Sequence, residues 1–93
     1  MIASFADRAT EDVFRGRDTK AAWRSIERIV KRKLDMLNAA TALRDLRSPP
    51  GNRLESLKGD RKGQWSIRIN DQWRICFRWD GDWPEDVVIV DYH

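Results

Sequence analysis

The sequence predicts an α+β domain in which two helices pack on one face of an antiparallel sheet. Apolar residues in the first half of the 93-residue chain recur at three- and four-residue spacings, which is typical of a helix. In the second half they alternate with polar residues at a period of two, which is typical of strands. The segment RSPPGN lies between the halves and ends any helix, because it contains Pro49, Pro50 and Gly51.

The first half is expected to form a short strand followed by two helices. MIASF alternates weakly and predicts the strand. Asp7 is a candidate N-cap for a first helix that closes at Gly16. Asp18 or Thr19 is expected to cap the second helix, which reaches about Ala40. The apolar stripe of that helix comprises Trp23, Ile26, Ile29, Val30, Leu34 and Leu37.

The second half is expected to form an antiparallel meander. One alternating run places Trp65, Ile67 and Ile69 on a single face. After a turn at Asn70-Asp71, the alternation resumes with Trp73, Ile75, Phe77 and Trp79. The last run, Val87–Val90, is apolar on both faces and predicts a central strand. Trp83, beside Pro84 in a predicted loop, is the tryptophan free to stack on a base or a partner, although a structural or idle role is favoured first.

Composition predicts one globular domain, residues 1–93, in the cytoplasm. A single cysteine, Cys76, excludes an internal disulfide and fits a reducing compartment. The N-terminal residues lack the pattern of a signal peptide, and the longest aliphatic run, VVIV, is too short for a membrane span. We therefore expect no association with a membrane.

Positive charge is concentrated in one segment. The chain carries a net charge of +3, but Arg53–Arg78 holds seven basic and three acidic residues, so that this segment carries +4 and the remainder −1. Alternation places Arg68, Arg74 and Arg78 on the sheet face away from the helices, and the preceding loop adds Lys58, Arg61 and Lys62. This surface is either a solvated face with carboxylates nearby or a phosphate-binding surface, and we favour the second.

The loop and the C-terminal residues suggest the chemistry. Gly59 and Gly63 punctuate the basic loop and can adopt positive φ in a turn, but the spacing is not that of a P-loop. The last three residues are Asp91-Tyr92-His93. Cleavage of RNA by its own 2′-hydroxyl needs a base, cations and an acid, and histidine, tyrosine, lysine and arginine can fill these roles. No residue cluster suits a metal ion, so we expect neither metal nor cofactor.

The segments LKGDRKGQWSIRINDQWRICF and VVIVDYH resemble the HigB-type toxins of the RelE/ParE superfamily, and the resemblance extends over essentially the whole chain. It implies a RelE-like fold similar to small microbial ribonucleases. It also implies a toxin of a type II toxin–antitoxin system that cleaves mRNA on the ribosome without a metal. The implied partners are the ribosome, mRNA and a cognate antitoxin, usually a helix-turn-helix protein of the HigA type that alone contacts operator DNA.

The resemblance also implies roles for individual residues. Lys58 and Arg74 match the phosphate-contacting cations of the family, and Asp91, Tyr92 and His93 match its C-terminal catalytic group. Some relatives have a histidine three residues before the loop lysine, where this chain has Glu55. Either Glu55 is the general base, or His93 and Tyr92 handle the protons with Lys58. The other residues expected to bind RNA are Arg61, Lys62, Arg68 and Arg78.

Two other functions compete with the ribonuclease. The superfamily includes toxins that poison DNA gyrase and generally lack the ribonuclease residues, and a degenerate toxin can remain as a corepressor. The presence of Lys58, Arg74 and His93 favours the ribonuclease.

Overall fold

The computed structural model describes residues 1–92 and has the predicted α+β architecture. Helices α1 (Arg8–Phe14) and α2 (Glu27–Ala39) precede four strands. The strands are β1 (Glu55–Ser56), β2 (Trp65–Arg68), β3 (Trp73–Arg78) and β4 (Glu85–Asp91). They form one antiparallel sheet in the order β1-β2-β3-β4. Among residues 1–92, no helix is long and apolar enough to cross a membrane.

The core lies between the helices and one face of the sheet. Ile67 of β2, Ile75 of β3 and Ile89 of β4 lie side by side in the strand register. They contact a cluster that includes Val30, Leu34 and Leu37 of α2. Trp65, Trp73 and Trp79 are partly buried against this cluster, as their alternation predicts. Trp83 is 44% exposed, which agrees with its predicted position in a loop.

Helix α1 begins and ends as predicted. The Asp7 side chain accepts a hydrogen bond from the Thr10 backbone N–H at 2.9 Å, which satisfies one of the free donors at the helix start. After the helix, Gly16 adopts φ +72°, a conformation that glycine reaches without steric cost. The buried Val13 attaches the helix to the core.

The predicted start of the second helix is wrong. Neither Asp18 nor Thr19 caps it; the chain instead forms a 3₁₀ helix over Ala21–Ile26, and α2 begins at Glu27. The reason is the packing of Trp23, which is 1% exposed and makes an edge contact with Trp73 at 5.9 Å between ring centroids. Because apolar residues recur at similar spacings in a 3₁₀ helix and in an α-helix, the sequence pattern does not show where the first ends and the second begins.

The N-terminal segment and β4 also depart in detail from expectation. The predicted first strand is reduced to one parallel bridge between Phe5 and Val87. This segment runs along the outer side of β4. In the strand order of the sheet β4 is an edge strand, not the central strand that was predicted. Two backbone N–H groups on the outer side of β4 have partners outside the sheet: Val87 donates to the Ser4 carbonyl at 3.1 Å, and Ile89 donates to the Thr10 hydroxyl at 3.0 Å.

A buried lysine connects α2 to the segment before the sheet. The ammonium group of Lys33 donates to the side-chain oxygen of Asn52, which is fully buried. The Asn52 amide donates to the carbonyls of Leu46 at 3.2 Å and Ser48 at 3.3 Å. Desolvation lowers the pKa of Lys33, with further contributions from the positive charges of Arg32 and Arg68.

We expect the free energy of unfolding to rise with pH in alkaline solution because of Lys33. Its pKa is lower in the folded chain than the ordinary value of 10.5, so the folded state releases this proton first as pH rises towards 10.5. Urea unfolding from neutral pH towards pH 10 measures the slope. The Lys33→Met variant should show a smaller slope in the same buffers, and equal slopes would contradict the expectation.

Candidate active site

Arg74 of β3 is the centre of the candidate site. Alternation predicts that its side chain lies on the sheet face away from the helices, and the structure confirms that face. In the strand register Arg74 pairs with Val90 on β4 and with Arg68 on β2. Its guanidinium contacts several neighbouring groups. Nε donates to the Ser66 hydroxyl at 2.8 Å, Nη2 donates to the Arg53 carbonyl at 2.7 Å, and Nη2 lies 3.5 Å from a Glu55 carboxylate oxygen.

Arg74 does not lie on an open, solvated face. Arg74 is only 7% exposed, because the chain from Arg53 through the basic loop folds over this part of the sheet. Cys76, the next residue on the same face, is fully buried. Burial raises the pKa of the Cys76 thiol, although the charges of Arg61 and Arg74 act in the opposite direction.

Glu55 and Tyr92 both contact Arg74. Glu55 lies on β1, an unpredicted strand of two residues, where it pairs with Ser66. The Tyr92 ring centroid lies 5.3 Å from the Arg74 guanidinium carbon, a cation–π contact. The Tyr92 backbone N–H donates to the Gln72 carbonyl at 2.6 Å, which attaches this part of the chain to the β2–β3 turn.

A groove of about 530 Å³ lies beside these residues. Its lining combines a carboxylate, cations and an aromatic ring: Glu55, Ser56, Leu57, Lys58, Asp60, Arg61 and Tyr92. The buried Leu57 anchors the loop, and its N–H donates to the Gln64 carbonyl at 2.9 Å. Gly59 and Gly63 have φ of +63° and +91°, as predicted for turns. The groove is open to solvent.

The basic residues of the loop differ in their surroundings. Lys58 and Lys62 are exposed, and neither makes an ion pair within residues 1–92. Arg61 donates to the side-chain oxygen of Gln64 at 3.1 Å. Of the two predicted RNA-binding residues in this loop, Arg61 lines the groove. Lys62 is the next residue in the loop and is exposed.

Arg68 and Arg78 do not join Arg74 in a continuous phosphate-binding face. Arg68 forms an ion pair with Asp71, and Arg78 Nε lies 3.5 Å from an Asp86 oxygen. For these two arginines the structure supports the simpler of the two expectations, a solvated face with carboxylates nearby. An exposed ion pair of this kind contributes little to stability, about 0–1 kcal/mol.

The two described residues of the C-terminal tripeptide, Asp91 and Tyr92, have different surroundings. Tyr92 lines it, whereas Asp91 pairs with Trp73 in the strand register and accepts a hydrogen bond from Gln72 Nε2 at 3.2 Å. Alternation along β4 places Asp91 on the face opposite Val90, so its predicted catalytic role remains a prediction. His93 lies outside the described residues, and its predicted role is likewise untested.

Two groups that hold Arg74 were missed in the sequence. Ser66 is a small residue in a strand, and its alternation predicts only which face it occupies. The other group is the backbone carbonyl of Arg53, a residue with φ 45° and ψ 55°. No side-chain pattern encodes a carbonyl acceptor, so no sequence signal could have identified it.

A second groove of about 700 Å³ lies between α1 and α2. Charged side chains dominate its lining, and several are already paired within the chain. Lys31 contacts Asp35 at 2.7 Å, and Arg17 contacts Asp12 at 3.1 Å. It contains no convergent set of base, cation and aromatic ring comparable to that around Arg74, so we place the candidate active site at the smaller groove.

Comparison of sequences identifies the family of the chain. Residues 3–93 match the family model described as the RelE-like toxin of the type II toxin–antitoxin system HigB. The chain is 32% identical to the Endoribonuclease HigB of Proteus vulgaris over the full length of both chains. It is 56% identical to Toxin HigB-1 of Vibrio cholerae over 55 residues, which cover 59% of this chain and 58% of that protein.

Comparison of structures gives the same fold. The chain superposes with a TM-score of 0.64 on the YoeB-YefM complex from Staphylococcus aureus, at 20% identity, covering 100% of this chain and 95% of the other. The YoeB/ParE toxin from Agrobacterium tumefaciens gives a TM-score of 0.55 at 22% identity, with 99% and 96% coverage. At these identities the likeness concerns the fold alone.

Proposed function

Because the chain belongs to the HigB-like family of RelE-like toxins, we propose that it is the toxin of a type II toxin–antitoxin system and an endoribonuclease. Its substrate is mRNA in the A site of a translating ribosome, and its effect is to stop translation. The whole chain, residues 1–93, acts as one domain in the cytoplasm.

The observation that carries this proposal is the meeting of Glu55, Tyr92 and Arg74 beside the loop of Lys58. Arg74 contacts both Glu55 and Tyr92, and Lys58 lines the same groove. This set supplies an acceptor for a proton, two cations for a phosphate and a ring on which a base can stack. Full-length similarity to a protein named as an endoribonuclease adds support.

The proposed reaction needs no metal. Glu55 accepts the proton of the 2′-hydroxyl as its oxygen attacks the adjacent phosphorus. Lys58 and Arg74 stabilise the charge that develops on the phosphorane oxygens. His93 gives a proton to the departing 5′-oxygen, and the P–O5′ bond breaks. The products are a 2′,3′-cyclic phosphate and a 5′-hydroxyl end, so charge and protons balance without water or a cofactor.

We further propose a cognate antitoxin as the regulatory partner. Support comes from the family and from the structural neighbour, which is a complex of YoeB with YefM. The antitoxin is expected to be a HigA-type helix-turn-helix protein, through which alone the toxin reaches operator DNA.

Primer extension on mRNA from cells expressing the protein tests the proposed function. Cuts within translated codons are expected, and they should disappear from a transcript whose start codon is removed. The 5′ ends should be hydroxyls, which a kinase must phosphorylate before ligation. DNA-damage induction without mRNA cuts would instead indicate a gyrase poison, and neither effect would indicate a corepressor.

We expect Glu55→Gln to slow mRNA cleavage by about 10²-fold, at the lower end of the range for loss of a general base. The amide keeps the shape of the side chain but cannot accept the proton. Cleavage of ribosome-bound mRNA under single-turnover conditions measures the change.

Asp60→Asn is the matched control, because it removes the same charge from the same groove. It should cleave at a near-normal rate. If Glu55→Gln also cleaved normally, Glu55 would not be the base, and His93 with Lys58 would be the remaining proton-handling pair.

A further inference from the structure

The Arg74 guanidinium is held on two sides by neutral oxygen atoms. The Ser66 hydroxyl accepts from Nε at 2.8 Å, and the Arg53 carbonyl accepts from Nη2 at 2.7 Å. Nη1 makes no hydrogen bond to another residue within 1–92. Building on the proposed function, we propose that Ser66 and the Arg53 carbonyl are positioning groups that fix Arg74 so that Nη1 is left to donate to the scissile phosphate.

Ser66 is suited to this role by its burial. It lies on β2 opposite Cys76, and its side chain is fully enclosed. Its backbone carbonyl lies 3.5 Å from Nη2, so one residue contacts two nitrogens of the guanidinium. A buried hydroxyl cannot turn to water, so its acceptor remains directed at Arg74.

The Arg53 carbonyl is directed at Arg74 by an unusual backbone conformation. Arg53 has φ 45°, in the left-handed region that is unfavourable for a non-glycine residue. Its neighbour Asn52 holds the turn through the bonds to Lys33, Leu46 and Ser48. Such strain persists where the surroundings determine the conformation, and it is common at functional sites.

The consequence is preorganisation. A guanidinium is a planar fork, so fixing Nε and Nη2 also fixes the direction of Nη1. The contact with the Tyr92 ring and the proximity of Glu55 to Nη2 restrict it further. Donors that are already in place contribute most when charge develops in the transition state. Loss of a positioning group should therefore lower kcat and leave KM nearly unchanged.

The test is a double-mutant cycle of Ser66→Ala and Arg74→Lys. We measure kcat and KM for cleavage of ribosome-bound mRNA, corrected for the folded fraction from thermal unfolding. Ser66→Ala should lower kcat by about 10-fold or more with KM within about twofold. In the Arg74→Lys background the same serine change should have little further effect, because the group that it positions is gone.

Thr10→Val is the matched control for a merely structural role. Thr10 is also fully buried, and its hydroxyl accepts from the Ile89 N–H at 3.0 Å, in a part of the fold away from the groove. This variant should lose stability while keeping kcat per folded molecule.

Two results would overturn the proposal: a normal kcat for Ser66→Ala, or an equal loss with Lys at position 74. Should Ser66→Ala not fold, Ser66→Cys provides the second variant, since its weaker acceptor should also lower kcat selectively. Wild-type protein that does not cut mRNA would instead refute the proposed function, which is a distinguishable failure.

Discussion

Arg74→Lys should slow mRNA cleavage by about 10²- to 10³-fold while the chain remains folded. A lysine retains the positive charge beside Glu55, but its single ammonium nitrogen lacks the planar fork by which separate guanidinium nitrogens reach Ser66, the Arg53 carbonyl and a phosphate. Single-turnover cleavage of ribosome-bound mRNA measures the rate, and circular dichroism with thermal unfolding measures the fold.

Arg68→Lys is the control for this change. Arg68 lies directly opposite Arg74 in the β2–β3 register and forms an ion pair with Asp71. Its replacement should leave cleavage near normal. A normal rate for Arg74→Lys, with the protein folded, would remove Arg74 from the mechanism.

Arg74→Glu is a less informative test of activity than the alternation along β3 predicts, because the variant is also expected to lose stability. From the sequence, this charge reversal is expected to abolish toxicity and spare the fold. In the structure it would place a second carboxylate beside Glu55 at a position that is 7% exposed. An uncompensated buried charge costs about 3–5 kcal/mol, so loss of activity would be confounded with unfolding.

His93→Gln should lower cleavage by about 10²- to 10⁴-fold if His93 protonates the 5′-oxygen. The residue follows β4, which ends at Asp91, so stability should change little. Single-turnover cleavage of ribosome-bound mRNA gives the measurement.

Tyr92→Phe is the companion to the histidine change. The phenylalanine ring retains the contact with the Arg74 guanidinium, so the variant should lose much less activity than His93→Gln. If His93→Gln cut mRNA at the wild-type rate, His93 would have no catalytic role.

The predictable part of the fold is the part that side-chain period encodes. Alternation correctly placed Ile67 and Ile75 in the core and Arg74 on the other face. The side-chain period shows which face of the sheet a residue occupies, but not which segment of the chain covers that face. The burial of Arg74 depends on the segment at Arg53, which is distant in sequence. Strand β1 was missed because two residues are too few to show a period.

The candidate site was predicted unevenly for a similar reason. Charged and aromatic side chains such as Lys58 and Tyr92 are visible in a sequence, and the groove contains both. Family resemblance identified Arg74 as well. The sequence could not show that Arg68 and Arg78 are engaged by Asp71 and Asp86, since such pairs form only in the folded chain.

The bond between Thr10 and Ile89 has a consequence for association. Exposed sheet edges recruit strands from other chains and so promote aggregation. On the outer side of β4, the N–H groups of Val87 and Ile89 are already occupied by Ser4 and the α1 hydroxyl. At the opposite edge, β1 offers only two residues. An incoming strand would have to displace part of the fold at one side or accept a very short ladder at the other, which protects the free protein against self-assembly by strand addition.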